Sequence, residues 1–158
     1  MRIVYHCYGG SHSSVTAASI HLGYLPNDRI PSYKDFMALP LYEKQDKPDH
    51  GHLRLMGIDD YGNEIYIVGR RNQAQSFKLA IAGIARIFGI TERDLYLADT
   101  MPYVNWKMML GGFLSRRWRW INFGRPIVIK GTQASFLDIT NMVQSVKMQV
   151  ASNEKLRS

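Results

Sequence analysis

The stretch from Ile3 to Leu22 constrains the fold of this chain most. An apolar run, Ile3-Val4-Tyr5, leads through His6-Cys7 into Tyr8-Gly9-Gly10-Ser11-His12-Ser13-Ser14 and on into Val15-Thr16-Ala17-Ala18. The order reads as strand, small-residue loop, helix. Glycines at 9 and 10 let backbone N–H groups converge on one point, hydroxyls line the turn, and the helix presents the positive end of its dipole to the same place. The ligand such a loop suits is an oxyanion, and a phosphate above all.

Further along, Gly23 marks the end of the first helix, and Pro26, Pro31, Pro40 and Pro48 punctuate an ordered excursion over residues 24–52. Within it Ser32 is expected to cap a short helix whose Tyr33, Phe36 and Met37 pack inward. Residues 53–58 and 64–68 flank Asp59-Asp60-Tyr61-Gly62-Asn63, the turn chemistry of a β-hairpin. Phe77, Ala80, Ile81, Ile84 and Phe88 recur at helical spacing up to Gly89, and a buried strand is expected over residues 95–98. Trp106, Met109, Leu110, Phe113 and Leu114 mark another apolar helical face, weakened or kinked at Gly111-Gly112. Ile127-Val128-Ile129, following Pro126, reads as a further buried strand, and Phe136, Ile139, Val143, Val146 and Val150 define a last helix.

This alternation predicts an α/β fold: a three-layer sandwich with a mainly parallel sheet, a β-hairpin at one edge and the Gly-rich loop after the first strand. The 158 residues suit one domain over residues 1–151, with a polar tail at 152–158. No apolar run approaches the roughly 20 residues of a membrane span, and the chain opens on a core-like strand, so the expected setting is cytoplasmic, with no membrane. Homo-oligomers remain compatible with the composition. Ligands of open parallel sheets gather at the carboxyl ends of strands, which selects residues 7–14, 99–102 and 130–133.

The single cysteine, Cys7, rules out an internal disulfide and a Cys-rich zinc site; it is either a packing residue or a functional thiol. As a functional thiol it is the candidate nucleophile, with His12 as base or anion contact and Asp99 at the end of a later strand. Strand alternation turns His6 to the other face. Gly9, Gly10, Ser11, Ser13 and Ser14 are the candidate ligand donors, joined by Lys130 at the third strand end. His50 and His52, beside Asp49, form too sparse a set for a metal site, though an excursion folded over the loop brings them to its ligand. Neither the Lys-bearing P-loop nor the triple-glycine dinucleotide fingerprint is present, so no cofactor is implied.

The pattern Cys7-x-x-Gly10-x-x-Ser13-Ser14 resembles the first loop of low-molecular-weight phosphotyrosine phosphatases, whose cysteine attacks phosphate. Ser13 stands where that family has its phosphate-clamping Arg, so the resemblance implies the anion loop without the clamp. The loop is also similar to that of phosphotransferase-system IIB domains, in which the cysteine carries a phosphoryl group and no Arg is needed. As a whole the chain resembles a family of short proteins of unknown function from spore-forming Gram-positive bacteria. The residues that carry this are Tyr5-His6-Cys7-Tyr8-Gly9-Gly10, His12-Ser13-Ser14 and the hairpin from Gly57 to Tyr66.

The reading that follows is binding of phosphate or a phosphorylated small molecule at residues 7–14, with Cys7 as phosphoryl acceptor. Its alternative is a non-enzymatic binding or regulatory module. The net charge of +7 favours anionic partners, and Arg116, Arg117, Trp118 and Arg119 lie in a basic, aromatic segment (residues 116–125) suited to nucleic acid or a protein partner.

Overall fold

The structure, a computed structural model, describes residues 1–44, 49–91, 93–117 and 120–155, the side chains of 116, 117, 154 and 155 excepted. Strand β1 (Arg2–Cys7) leads into helix α1 (Ser13–His21), and helix α2 (Tyr33–Ala38) sits in the excursion that follows. Strands β2 (Arg54–Ile58) and β3 (Glu64–Gly69) precede helix α3 (Ala74–Ile87) and strand β4 (Leu95–Asp99). Helices α4 (Trp106–Gly112), α5 (Ile121–Ala134) and α6 (Phe136–Lys155) complete the chain, with a π turn, Phe113–Arg117, between α4 and α5.

The sheet runs β2-β3-β1-β4, with β1 parallel to both β3 and β4, and β2 antiparallel to β3 at the edge. Asp59 makes the expected hairpin turn. Its carboxylate accepts from the N–H groups of Tyr61 and Asn63 at 3.0 and 2.8 Å, and Gly62 takes the positive φ of 80° that the turn needs. The same carboxylate accepts from His21 Nε2 at 3.1 Å, and Tyr5 Oη donates to His21 Nδ1 at 2.7 Å, which pins hairpin, α1 and β1 together.

Side-chain alternation along β1 divides the layers. Tyr5 meets His21 of α1, whereas the His6 ring lies edge-on to Phe77 of α3, with centroids 5.3 Å apart. Helices therefore cover both faces of the sheet, with α6 behind α1 and tied to β4 by Tyr96 and Gln149. All nine residues of α1 are buried, because Ser, Thr and Ala let it lie close between sheet and α6. It ends in a Schellman motif at Gly23: Tyr24 N donates to Ser19 O at 2.8 Å and Gly23 N to Ile20 O at 3.2 Å. Ser32 and Asp35 form a reciprocal capping box on α2, which buries Phe36 but leaves Tyr33 exposed. Phe136, Ile139, Val143, Val146 and Val150 are all in the core, as their spacing predicts.

Four expectations are corrected. Ile127, Val128 and Ile129 belong to α5 and not to a strand, so Pro126 lies inside a helix and Lys130 at no strand end. Close packing on α4 overrides the β-branched run: Gly124 and Gly131 bring α5 so near that a Cβ there meets the N atoms of Ser115 and Met108 at 2.4 and 2.7 Å. The apolar stripe of α4 faces outward, and the inner seam is Met108, Gly111 and Ser115 instead. Strand β4 is half-buried at Leu95, Tyr96 and Leu97, since it forms a sheet edge, and α3 buries only Ala85 fully, leaving Ile84 and Phe88 exposed.

Candidate functional site

The chain leaves β1 toward β3 on one side, and β3 returns through α3 to β4 on the other. The carboxyl ends of β1 and β4 thus flank the switch point where open α/β sheets hold ligands. Residues 8–12 curl there. Gly10 takes a φ of 70° and donates its N–H to Cys7 Sγ at 3.0 Å, while Ser14 Oγ lies 3.2 Å from the same sulfur. The buried Sγ is thus the floor of the loop, positioned by one backbone and one hydroxyl group. Gly69 supports it from β3, where a Cβ meets Gly9 C and O at 2.6 Å, so only glycine fits.

Beyond Tyr8 N and Gly10 N, which donate to sulfur, the backbone donors of this loop are unengaged. Among the described residues, the N–H groups of Gly9, Ser11, His12, Ser13 and Ser14 donate to no protein acceptor, and α1 has no side-chain N-cap. Ser11, Ser13 and Ser14 are buried. Each unpaired buried donor costs about 1–3 kcal/mol, a cost that a bound oxyanion removes.

Side chains tie the loop down on each flank. Ser13 Oγ donates to Thr100 Oγ1 at 2.9 Å, and that hydroxyl donates to His6 O at 3.1 Å, so the Ser13 hydroxyl joins the β1 and β4 ends. Tyr8 N donates to Met101 Sδ at 3.2 Å across the same crevice. His12 turns away from the sulfur toward the excursion. Its Nε2 bonds the buried Glu43 carboxylate, its ring meets Tyr42 edge-on, and a Cβ on Gly112 comes within 3.0 Å of its Cε1. Ser115 Oγ donates to Glu43 Oε1 at 3.0 Å, and Arg125 Nε stands 3.6 Å from Oε2. Because Glu43 accepts at Oε1, His12 carries a proton on Nε2.

Asp99 stands on the opposite face from Cys7. Arg70 at the end of β3 donates through one terminal nitrogen to both Asp99 oxygens, at 3.1 and 3.0 Å, and through Nε to His6 Nδ1 at 3.0 Å. A ring nitrogen that accepts from guanidinium bears no proton, so His6 is neutral and no ion pair with Asp99 forms. Burial pushes its pKa down to about 4; Asp99 opposes that shift, and Arg70 and Lys78 add to it. Asp99 Oδ1 also accepts from Met101 N at 3.0 Å, the capping role typical of Asp at a strand end.

Gly9, Gly10, Ser11, Ser13, Ser14 and Cys7 thus come together as the sequence predicts. His12 joins them through its backbone, while Asp99 and Lys130 do not. Lys130 is exposed on α5, and its place as a ligand donor falls with the strand that was to carry it. Arg116 and Arg117 lie in the π turn; their side chains, with all of Trp118 and Arg119, lie outside the described residues. The His50 ring meets Tyr8, with centroids 6.5 Å apart, so the excursion does reach the loop. Among the described residues no group of three or more His, Cys, Asp or Glu gathers.

Glu43 and Arg70 escaped sequence reasoning, and Thr100 entered it only within the strand end at residues 99–102. Only Arg70 carried a signal, as a cation immediately after a strand whose carboxyl end faces the switch point. No helix of the described residues is long and apolar enough to cross a membrane. No curated protein and no solved structure matches the chain. A family model described as protein of unknown function, DUF3189, matches residues 2–148, and the chain belongs to that family.

Proposed function

We propose that residues 7–14 bind the phosphate group of a small phosphorylated molecule, and that Cys7 is the transient acceptor of that group. The observation that supports this reading is the row of unengaged N–H groups at Gly9, Ser11, His12, Ser13 and Ser14, set over the uncapped end of α1. Those donors and the helix dipole take the place of the Arg clamp that Ser13 displaces. The Cys7 sulfur accepts from Gly10 N–H at 3.0 Å, which holds it at the floor of the loop beneath those donors. In the transfer the thiolate attacks phosphorus, the S–P bond forms as the ester P–O bond breaks, and the departing oxygen takes a proton from water. Attack by a second acceptor or by water on the phosphocysteine returns the thiolate.

Titration of the labelled protein with inorganic phosphate, followed by amide resonances, tests the binding step. The expected result is a saturable shift confined to residues 9–14 at millimolar phosphate, with Cys7 shielded from alkylation in parallel. Incubation with p-nitrophenyl phosphate is expected to give a phosphocysteine phosphorus resonance that Cys7→Ser abolishes while still binding phosphate. Unmoved amides and an unshielded thiol overturn the proposal.

A further inference from the structure

Residues 100–137 contain no Asp or Glu but six cations, Lys107, Arg116, Arg117, Arg119, Arg125 and Lys130, together with all three tryptophans of the chain. Nearly the whole positive excess is gathered there. The structure shows what this segment turns outward. Helix α4 packs on α5 through Met108 and Gly111, where a Cβ on Gly111 meets Val128 N at 2.4 Å, so the small residues are spent on the inner seam. Its large apolar side chains point the other way: Trp106 is 66% exposed, Met109 64% and Leu110 41%. At the adjoining start of α5, Ile121 is 40% exposed and Phe123 72%. The Lys107 ammonium lies 5.8 Å from the Trp106 ring centroid, so cation and aromatic share one surface.

We propose that this α4–α5 face docks on the surface of an anionic lipid bilayer, lying in the interface without crossing it. Charge complementarity selects the occupant. A segment with six cations and no acid repels a second copy of itself. Nucleic acid satisfies the cations and stacks on the aromatics, but leaves Met109, Leu110 and Ile121 without purpose. Indole and phenyl rings among aliphatic side chains, in a segment whose only charges are Lys and Arg, are the composition that settles between headgroups and acyl chains. The inference rests on surface composition and stands whether or not residues 7–14 bind phosphate.

Because every tryptophan lies in the segment, intrinsic emission reports on this face without a label. Full-length protein is mixed with vesicles of phosphatidylcholine and phosphatidylglycerol in equal parts, and separately with phosphatidylcholine alone. Expected are a blue shift and co-flotation with the anionic vesicles only, weakened as salt shortens the Debye length. Charge removal at Arg116→Gln, Arg117→Gln and Arg119→Gln is expected to lower partitioning by roughly fivefold each. A Met109→Asp, Phe123→Asp double variant, altered only at exposed positions, is expected to lose binding more than tenfold with an unchanged melting temperature. Absent flotation, flotation that survives the double variant, or equal binding to uncharged vesicles overturns the proposal. So does an emission change with single-stranded oligonucleotide or an acidic protein but not with vesicles.

Discussion

At Glu43 a carboxylate that is 1% exposed meets His12, Ser115 and Arg125, groups from three separate parts of the chain. Burying a carboxylate costs several kcal/mol, and the partners offset this only while all are present. Glu43→Ala strands the His12 Nε2–H, the Ser115 hydroxyl and the Arg125 charge together. The expected loss is about 3 kcal/mol, read as a lowered urea midpoint, with phosphate affinity at the neighbouring loop falling as well. Glu43→Gln keeps an acceptor for His12 and Ser115 but not the charge facing Arg125, so its loss is expected to be smaller. No pattern in the sequence announces this side chain, because its partners lie 31 and 72 residues away in His12 and Ser115. The residues around Cys7 were legible for the opposite reason. Gly10 and Ser14 lie 3 and 7 residues from Cys7, so backbone geometry alone brings them together.

Local rules sufficed for elements whose caps and stripes agree with their packing. The Schellman glycine of α1, the Asp59 turn and the α6 stripe are cases in which propensity, turn chemistry and burial point the same way. They failed for α4 and α5, where the contact is a glycine seam and the hydrophobic stripe faces out. A stripe is evidence of a preferred side, and it does not say whether that side meets the core or a partner. Two glycines make the distinction measurable. Gly111 lies on the seam against Val128 backbone, whereas a Cβ on Gly83 in α3 meets nothing within 4 Å. Gly83→Ala is therefore expected to stabilise by about 0.5–1 kcal/mol through lower unfolded-state entropy. Gly111→Ala forces α4 off α5 and is expected to cost about 1–3 kcal/mol. Chemical denaturation of the two variants checks the opposite signs.

Over the whole molecule, buried neutral histidines on both sides of β1 give stability a pH dependence of one sign. On one face His6 accepts from Arg70, and burial holds its pKa near 4; on the other, burial also lowers that of His21, although Asp59 opposes the shift. A histidine in the unfolded chain titrates near 6.5, so on acidification the unfolded state takes up these protons first. Stability is then whole above about pH 6.5 and declines toward pH 4, by roughly 3 kcal/mol from His6 alone. Asp59 acts in the same direction at lower pH: hydrogen bonds from Asn63, His21 and Tyr61 outweigh desolvation and depress its pKa, so its contribution is lost only as pH falls below the ordinary carboxylate range. His6→Asn separates these terms, because the Asn oxygen offers Arg70 an acceptor near the place of Nδ1 but does not titrate. Urea unfolding from pH 7 down to pH 4.5 is expected to show a steep loss in the parent protein and a much shallower one in His6→Asn. His21 contributes to the slope that remains. Equal slopes in the two proteins mean that His6 titrates in the folded protein as it does in the unfolded chain, which is incompatible with a buried ring nitrogen that accepts from Arg70.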